Sequence, residues 1–176
     1  MRALTIAAVG LALSLSGCGA AVDRIPPSRL GITARDAYLE ARTAARVWAE
    51  DARLRWLEGV GIDAAGLALP GQGEWRFHYT APGRSGEVLV RVGPLETAQE
   101  ERPATSPPGY VIGDNALDGD WVDSPDVAAA VVAAAGEAFP ATLMLVPTRP
   151  AQWIVRAGDG DGRWRVDAGT GEVIDG

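Results

Sequence analysis

Thiol and imidazole side chains are scarce in this chain. Its 176 residues hold one histidine, His78, and one cysteine, Cys18. A protein-bound zinc takes four ligands, mostly Cys and His, and neither residue has a second of its kind to join it. His78 lies in Trp75-Arg76-Phe77-His78-Tyr79. Strand alternation puts the three aromatics on one face and His78 on the other, facing solvent. Gly83-Arg84-Ser85-Gly86-Glu87 lacks the last glycine of a nucleophile elbow and joins two strands, so it reads as a hairpin turn. Gly158-Asp159-Gly160-Asp161-Gly162 precedes a strand, where a dinucleotide fingerprint opens a helix. Asp114 to Asp120 has the beginnings of a calcium loop. It lacks an acid at the third position and carries Pro125 where the bidentate Glu belongs. These patterns predict no catalytic residues, no metal site and no cofactor; the expectation is a protein that is not an enzyme.

Cys18 has a different chemistry available. Met1-Arg2 is a short basic start, Ala3 to Leu15 is apolar, and Ser16-Gly17 are small residues directly before the cysteine. The apolar run has the length of a secretory signal and falls short of the ~20 residues of a spanning helix. Leu15-Ser16-Gly17-Cys18 resembles the lipobox of bacterial lipoproteins. That resemblance implies cleavage before Cys18 and a lipid on its sulfur. Residues 1–17 are then a lipoprotein signal peptide and 18–32, with Pro26-Pro27, a tether. Gly19 follows the cysteine where Asp tends to retain lipoproteins in an inner membrane. The implied location is the outer membrane facing the periplasm, or the outer face of the cell membrane in an organism with one membrane.

The formal net charge is −7, with every basic side chain an arginine. Such a balance argues against nucleic acid as a partner and against anionic lipid surfaces. With one cysteine no intramolecular disulfide can form, so the fold rests on its core.

Thr33-Ala34-Arg35-Asp36 resembles a capping box, and Tyr38, Ala41, Ala45, Trp48 and Ala52 come after it at helical spacing. Arg46–Glu50 and Asp51–Arg55 read as exposed i,i+4 pairs, with Gly59 as the C-terminal cap. Leu67 and Leu69 suggest a short strand; Trp75 to Tyr79 and Val88 to Val92 alternate as a hairpin. Residues 98–123 read as an acidic, proline-rich linker or loop, with a short strand at Tyr110 to Ile112 and Trp121 packing back on the fold. Ser124-Pro125 then reads as an N-cap with proline at N1, opening an all-round apolar, well-buried helix from Val127 to Phe139. Strands at Leu143 to Val146, Trp153 to Arg156, and Trp164 to Val166 come next, with a last pair at Val173-Ile174.

The order helix, strand, strand, strand thus recurs, with units at 33–97 and 124–176. Trp75 aligns with Trp153, and Val88 and Val90 with Trp164 and Val166, which predicts an internal duplication. The second unit ends Trp164-Arg165-Val166-Asp167-Ala168-Gly169-Thr170-Gly171-Glu172-Val173-Ile174. It resembles the end of a PepSY domain; the first unit, with Val92-Gly93-Pro94-Leu95-Glu96 there, matches the family only in outline. The resemblance implies an α+β, cystatin-like fold with helices packed on antiparallel sheet. It also implies binding of proteins or inhibition of peptidases.

With the tryptophans and valines turned towards the helices, the opposite sheet face carries Arg76, His78, Arg91, Arg156, Arg163 and Arg165. This is a basic face on an acidic protein. Cross-strand pairing with Glu87, Asp167 and the acidic linker accounts for it one way; a groove for an acidic peptide accounts for it another. The expected function is a lipid-anchored cell-envelope protein that is held to the membrane through Cys18 and binds a protein or peptide, restraint of a peptidase being one form. The alternative is a structural envelope accessory without a soluble ligand.

Overall fold

The computed structural model describes residues 31–110, 116–117, 119–158 and 162–176. Cys18, residues 18–30 of the tether, and Asp114, Asn115 and Asp118 of the calcium-loop-like segment lie outside these residues. One antiparallel sheet of eight strands runs through the molecule in the order β4-β3-β2-β1-β5-β6-β7-β8. The strands are β1 (Arg53–Ile62), β2 (Glu74–Thr80), β3 (Glu87–Val92), β4 (Thr97–Arg102), β5 (Ala141–Val146), β6 (Gln152–Ala157), β7 (Arg163–Asp167) and β8 (Val173–Asp175). Helix α1 (Ala34–Trp48) precedes β1, and α2 (Ser124–Ala135) precedes β5. The fold is α+β, and each helix leads into a four-strand meander; the recurring unit of the sequence reading has three strands, and the first half gains two strands, β1 and β4, that the sequence does not predict.

The larger difference arises at β1. Helix α1 begins as expected, with Thr33 Oγ1 accepting the Asp36 N–H at 3.1 Å, and it buries Tyr38, Ala41, Ala45 and Trp48. It stops at Trp48, so the pairs Arg46–Glu50 and Asp51–Arg55 are not helical neighbours. Residues 53–62 form a strand whose alternation is hidden by a bulge between Leu54 and Trp56. Leu54 joins the helix-side core, whereas Trp56 turns to the opposite face. A bulge inserts one residue and reverses the facing of the residues beyond it, so no period of two is visible in the sequence. Gly59, expected to cap a helix, sits opposite Trp75, where a Cβ would overlap the indole. The expected strand at Leu67 and Leu69 reduces to single bridges from Ala68 to Ile32 and Ile62.

Both helices lie over one face. Their buried residues form a single core with Trp75, Phe77, Trp153, Val155 and Val166, and Trp121 packs into it as expected. The α2 N-cap is Asp123, not Ser124, and the helix ends at Gly136, whose φ of 79° closes it in the left-handed region. It is not buried all round: Val127, Ala128 and Val131 face the sheet, while Ala129, Ala133 and Ala134 are exposed.

The two halves share a hydrogen bond of the same kind. Trp75 Nε1 donates to Ile32 O, just before the α1 cap, and Trp153 Nε1 to Val122 O, just before the α2 cap, both at 3.0 Å. The rings meet edge to face at 6.4 Å. The register corrects the expected alignment. Trp75 pairs with Val92, and Trp153 with Val166. Val90 and Val92 therefore correspond to Trp164 and Val166, two residues along from the Val88 and Val90 of the sequence reading; the facing is unchanged. Trp153 is fully buried, and Trp164 is half-buried against Phe139. Trp153→Ala should destabilise by about 3–5 kcal/mol in chemical denaturation, and Trp164→Ala by clearly less.

Candidate functional site

The face of the sheet away from the helices carries the predicted arginines in two groups. On β2 and β3, Arg76 stands directly opposite Arg91; on β6 and β7, Arg156 stands opposite Arg163, with Arg165 two residues further along. Between them the transverse row runs through Glu58, Met144 and Ile154. Arg76 and Arg165 lie four strands apart, about 19 Å at the usual strand spacing. The six predicted residues share a face without forming one site.

Charge is distributed unevenly among them. Arg76 pairs with Glu74 Oε1 at 2.6 Å and Glu58 Oε1 at 3.3 Å. Arg165 pairs with Asp175, its cross-strand neighbour on β8, and Arg163 bonds the hydroxyl of Tyr110 and lies over its ring. Arg91 faces Ala98 on β4, and its guanidinium has no hydrogen bond or ion pair with any described residue. Among the described residues the acids that meet these arginines, Glu58, Glu74 and Asp175, come from the strands themselves, and neither Glu87 nor a linker acid is among them. Arg76 and Arg91 floor an open cleft of about 650 Å³, with Val60, Glu74, Leu95 and Ala98 among its other walls.

His78 does not face solvent. It lies on the face the alternation predicts, but that face is roofed, and its exposure is 1%. The indole of Trp56, brought round by the β1 bulge, stacks on the imidazole at 3.6 Å and 15°. The chain after β4 crosses above: Thr105 reaches the β3 carboxylate, and Tyr110 packs on Trp56, Met144, Val146 and Ile154. The expected linker at 98–123 thus begins inside an edge strand and continues, over residues 103–110, as a strap. Of its expected strand, Tyr110 lies outside any strand, and Val111 and Ile112 lie outside the described residues.

Beneath the strap is a buried network that the sequence reading missed. His78 Nδ1 lies 2.9 Å from Glu87 Oε1. Arg102 Nε donates to the same oxygen at 2.8 Å, and the Thr105 N–H donates to Oε2 at 3.0 Å. An anionic Glu87 fixes the tautomer: Nδ1 carries the proton and donates. Nε2 has no partner among the described residues. The signal was present in the hairpin, which folds Glu87 back to within reach of His78. Burial lowers the His78 pKa from its ordinary 6.5, outweighing the hydrogen bond to Glu87 that favours the charged ring. Burial alone would raise Glu87; its bonds from His78, Thr105 and Arg102 outweigh that and hold its pKa at about 2. The only imidazole is therefore closed off and neutral. Among the described residues no cluster of three or more His, Cys, Asp or Glu side chains could hold a metal, and no helix is long and apolar enough to cross a membrane.

Both shifts act in the same direction. An imidazole whose folded pKa is lowered contributes stability that is complete above its unfolded pKa and is lost as pH falls below it. A carboxylate whose pKa is depressed contributes stability that is lost as pH falls from about 4.5 towards about 2. Denaturation midpoints should therefore decline below about pH 6.5 and again in the acid range. His78→Gln should flatten the first decline, measured by urea titration across pH.

No family model matches this chain, and no curated protein matches it. A solved structure from Clostridium difficile 630, provisionally described as a lipoprotein, is similar in fold, with a TM-score of 0.54. The match covers 79% of this chain and 90% of that one at 12% identity.

Proposed function

We propose that this chain is a lipid-anchored cell-envelope protein that binds a protein or peptide partner on the helix-free face of its sheet. The sequence supports the anchor: an apolar run and small residues lead directly into Cys18, as in a lipobox. The similar fold of a protein described as a lipoprotein supports the same reading. Gly19 after the cysteine favours the outer membrane where there are two.

The observation that carries the binding role is Arg91, an exposed guanidinium without an acid, on the floor of an open cleft. Binding rather than turnover is supported by His78, whose imidazole is sealed between Trp56 and Glu87 and out of reach of a substrate. Two PepSY-like units are the architecture we infer. Support comes from the recurrence of helix and meander and from the matched bonds of Trp75 and Trp153 to the carbonyls before each helix. In that family such modules are associated with binding proteins and restraining peptidases, and we extend this role to the present chain.

Cys18→Ser should abolish incorporation of a palmitate analogue and release the protein from the membrane fraction or leave it unprocessed. Equal labelling of wild type and mutant would refute the anchor. For the binding role, crosslinking of the full-length protein in cells should yield a discrete envelope adduct, identified by mass spectrometry. Absence of any adduct would favour the structural accessory.

A further inference from the structure

The cleft over Arg91 has a more specific chemistry than a general basic face. It occupies a part of the helix-free face away from Thr105 and Tyr110 of the strap. Along one transverse row lie Glu58, Arg76, Arg91 and Ala98, from β1 out to the edge strand β4. Arg76 is engaged by two carboxylates. Arg91 is not, and the other half of the molecule shows why. Arg165 occupies the corresponding place there, paired against β8, and Asp175 meets it. Across from Arg91 the β4 residue is Ala98. The same sheet position is neutralised in one half and left charged in the other.

A single planar guanidinium, forked for two parallel hydrogen bonds, matches a single carboxylate. Its neighbours set the rest of the ligand. Val60 and Pro94 offer apolar walls, and Leu95 stands 81% exposed at the rim. Glu74 and Glu96 also line the cleft, on a protein whose net charge is −7. These acids repel a ligand carrying several negative charges, so the acidic peptide suggested by the arginine count alone is disfavoured. A volume of about 650 Å³ accommodates a few residues and lies within the range of small-ligand sites.

We propose that this cleft takes the C-terminal carboxylate of a peptide chain whose last side chain is apolar, the carboxylate on Arg91 and the side chain against Val60, Pro94 and Leu95. This rests on the reading that the open face binds a peptide, and it names the feature of the peptide that is recognised.

The test uses full-length protein in detergent micelles and fluorescence anisotropy of three labelled tetrapeptides. The first ends in leucine with a free carboxylate. The second is its C-terminal amide. The third is an amide with one internal aspartate. The free acid should bind, and both amides should bind at least tenfold more weakly, the scale of a lost charge-assisted pair. Arg91→Ala should reproduce that loss, Arg91→Lys should restore part of it, and Arg46→Ala, on the exposed side of α1, should bind as wild type. Arg91 is exposed and unpaired, so its variants should melt with the wild type. Equal binding of acid and amide, or an unchanged Arg91→Ala, overturns the proposal. So does an internal aspartate that binds as well as the free acid. If no peptide binds while the cellular adduct still forms, the proposal falls and the binding role stands; if neither is seen, both fall.

Discussion

One carboxylate, that of Asp123, holds the two halves of the helix layer together. The first turns of α1 and α2 meet, Ala34 and Arg35 of one bonding Ser124 and Asp123 at the start of the other. Each helix N-terminus carries roughly half a positive charge and unsatisfied N–H groups, so two brought together repel unless an acceptor stands between them. Asp123 Oδ1 accepts the Arg35 N–H at 2.9 Å and the Ser124 N–H at 2.7 Å. Ser124, fully buried, accepts the Ala34 N–H on its hydroxyl at 2.9 Å. The Arg35 guanidinium closes the junction from the other side, bonding Gly119 O and Trp121 O above the Trp121 ring. Trp121 in turn packs on Tyr38 and Trp153. The end of the strap, both helix starts and the aromatic centre of the core are thus fixed by a few hydrogen bonds around one acid.

With the helices committed to one face, the opposite face of an eight-stranded sheet would lie open. The strap between β4 and α2 covers part of it, and its cover is polar as well as apolar. Trp56, Met144, Val146 and Ile154 form a small second core under Tyr110, while Glu87 draws in Arg102 and Thr105. Burying a carboxylate is costly unless it is paired and fully bonded, and here three separate groups meet it. The covered part of the face becomes structural. A bare part, the row of Arg76, Arg91 and Ala98, is where the proposed ligand would lie.

The sequence was most legible where period and burial agree. The α1 start, the aromatic hairpin at Trp75 to Tyr79 and the strands of the second half are readable, because their large apolar side chains recur at the period of the element or run together between turn residues. It was least legible at β1, where the bulge beyond Leu54 breaks the period of two and a helical spacing through Ala52 and Gly59 fits by coincidence. The facing of His78 could be read from its neighbours; its burial could not, because a segment many residues later supplies the roof. The same holds for the arginines. Alternation places all six candidates on one face, whereas their partners and their division into two groups depend on strand order. That order carries β1 from the first meander against β5 of the second.

The difference between the halves bears most directly on function. Corresponding places carry His78 opposite Leu89 in one hairpin and Arg156 opposite Arg163 in the other. The first pair can be roofed because one member is apolar and the other neutral and bonded. Two like charges directly opposed repel, and here Arg163 turns to the Tyr110 ring and hydroxyl. In the next row the roles reverse: Arg165 is closed by Asp175, and Arg91 is left without an acid by Ala98. Two halves with the same register need not share a surface. On the proposal that they are related units, substitutions at a few rows were enough to roof His78 and leave Arg91 open in the first half, while Arg163 and Arg165 found partners in the second. The common core of Trp75 and Trp153 tolerates this, because neither row points towards it.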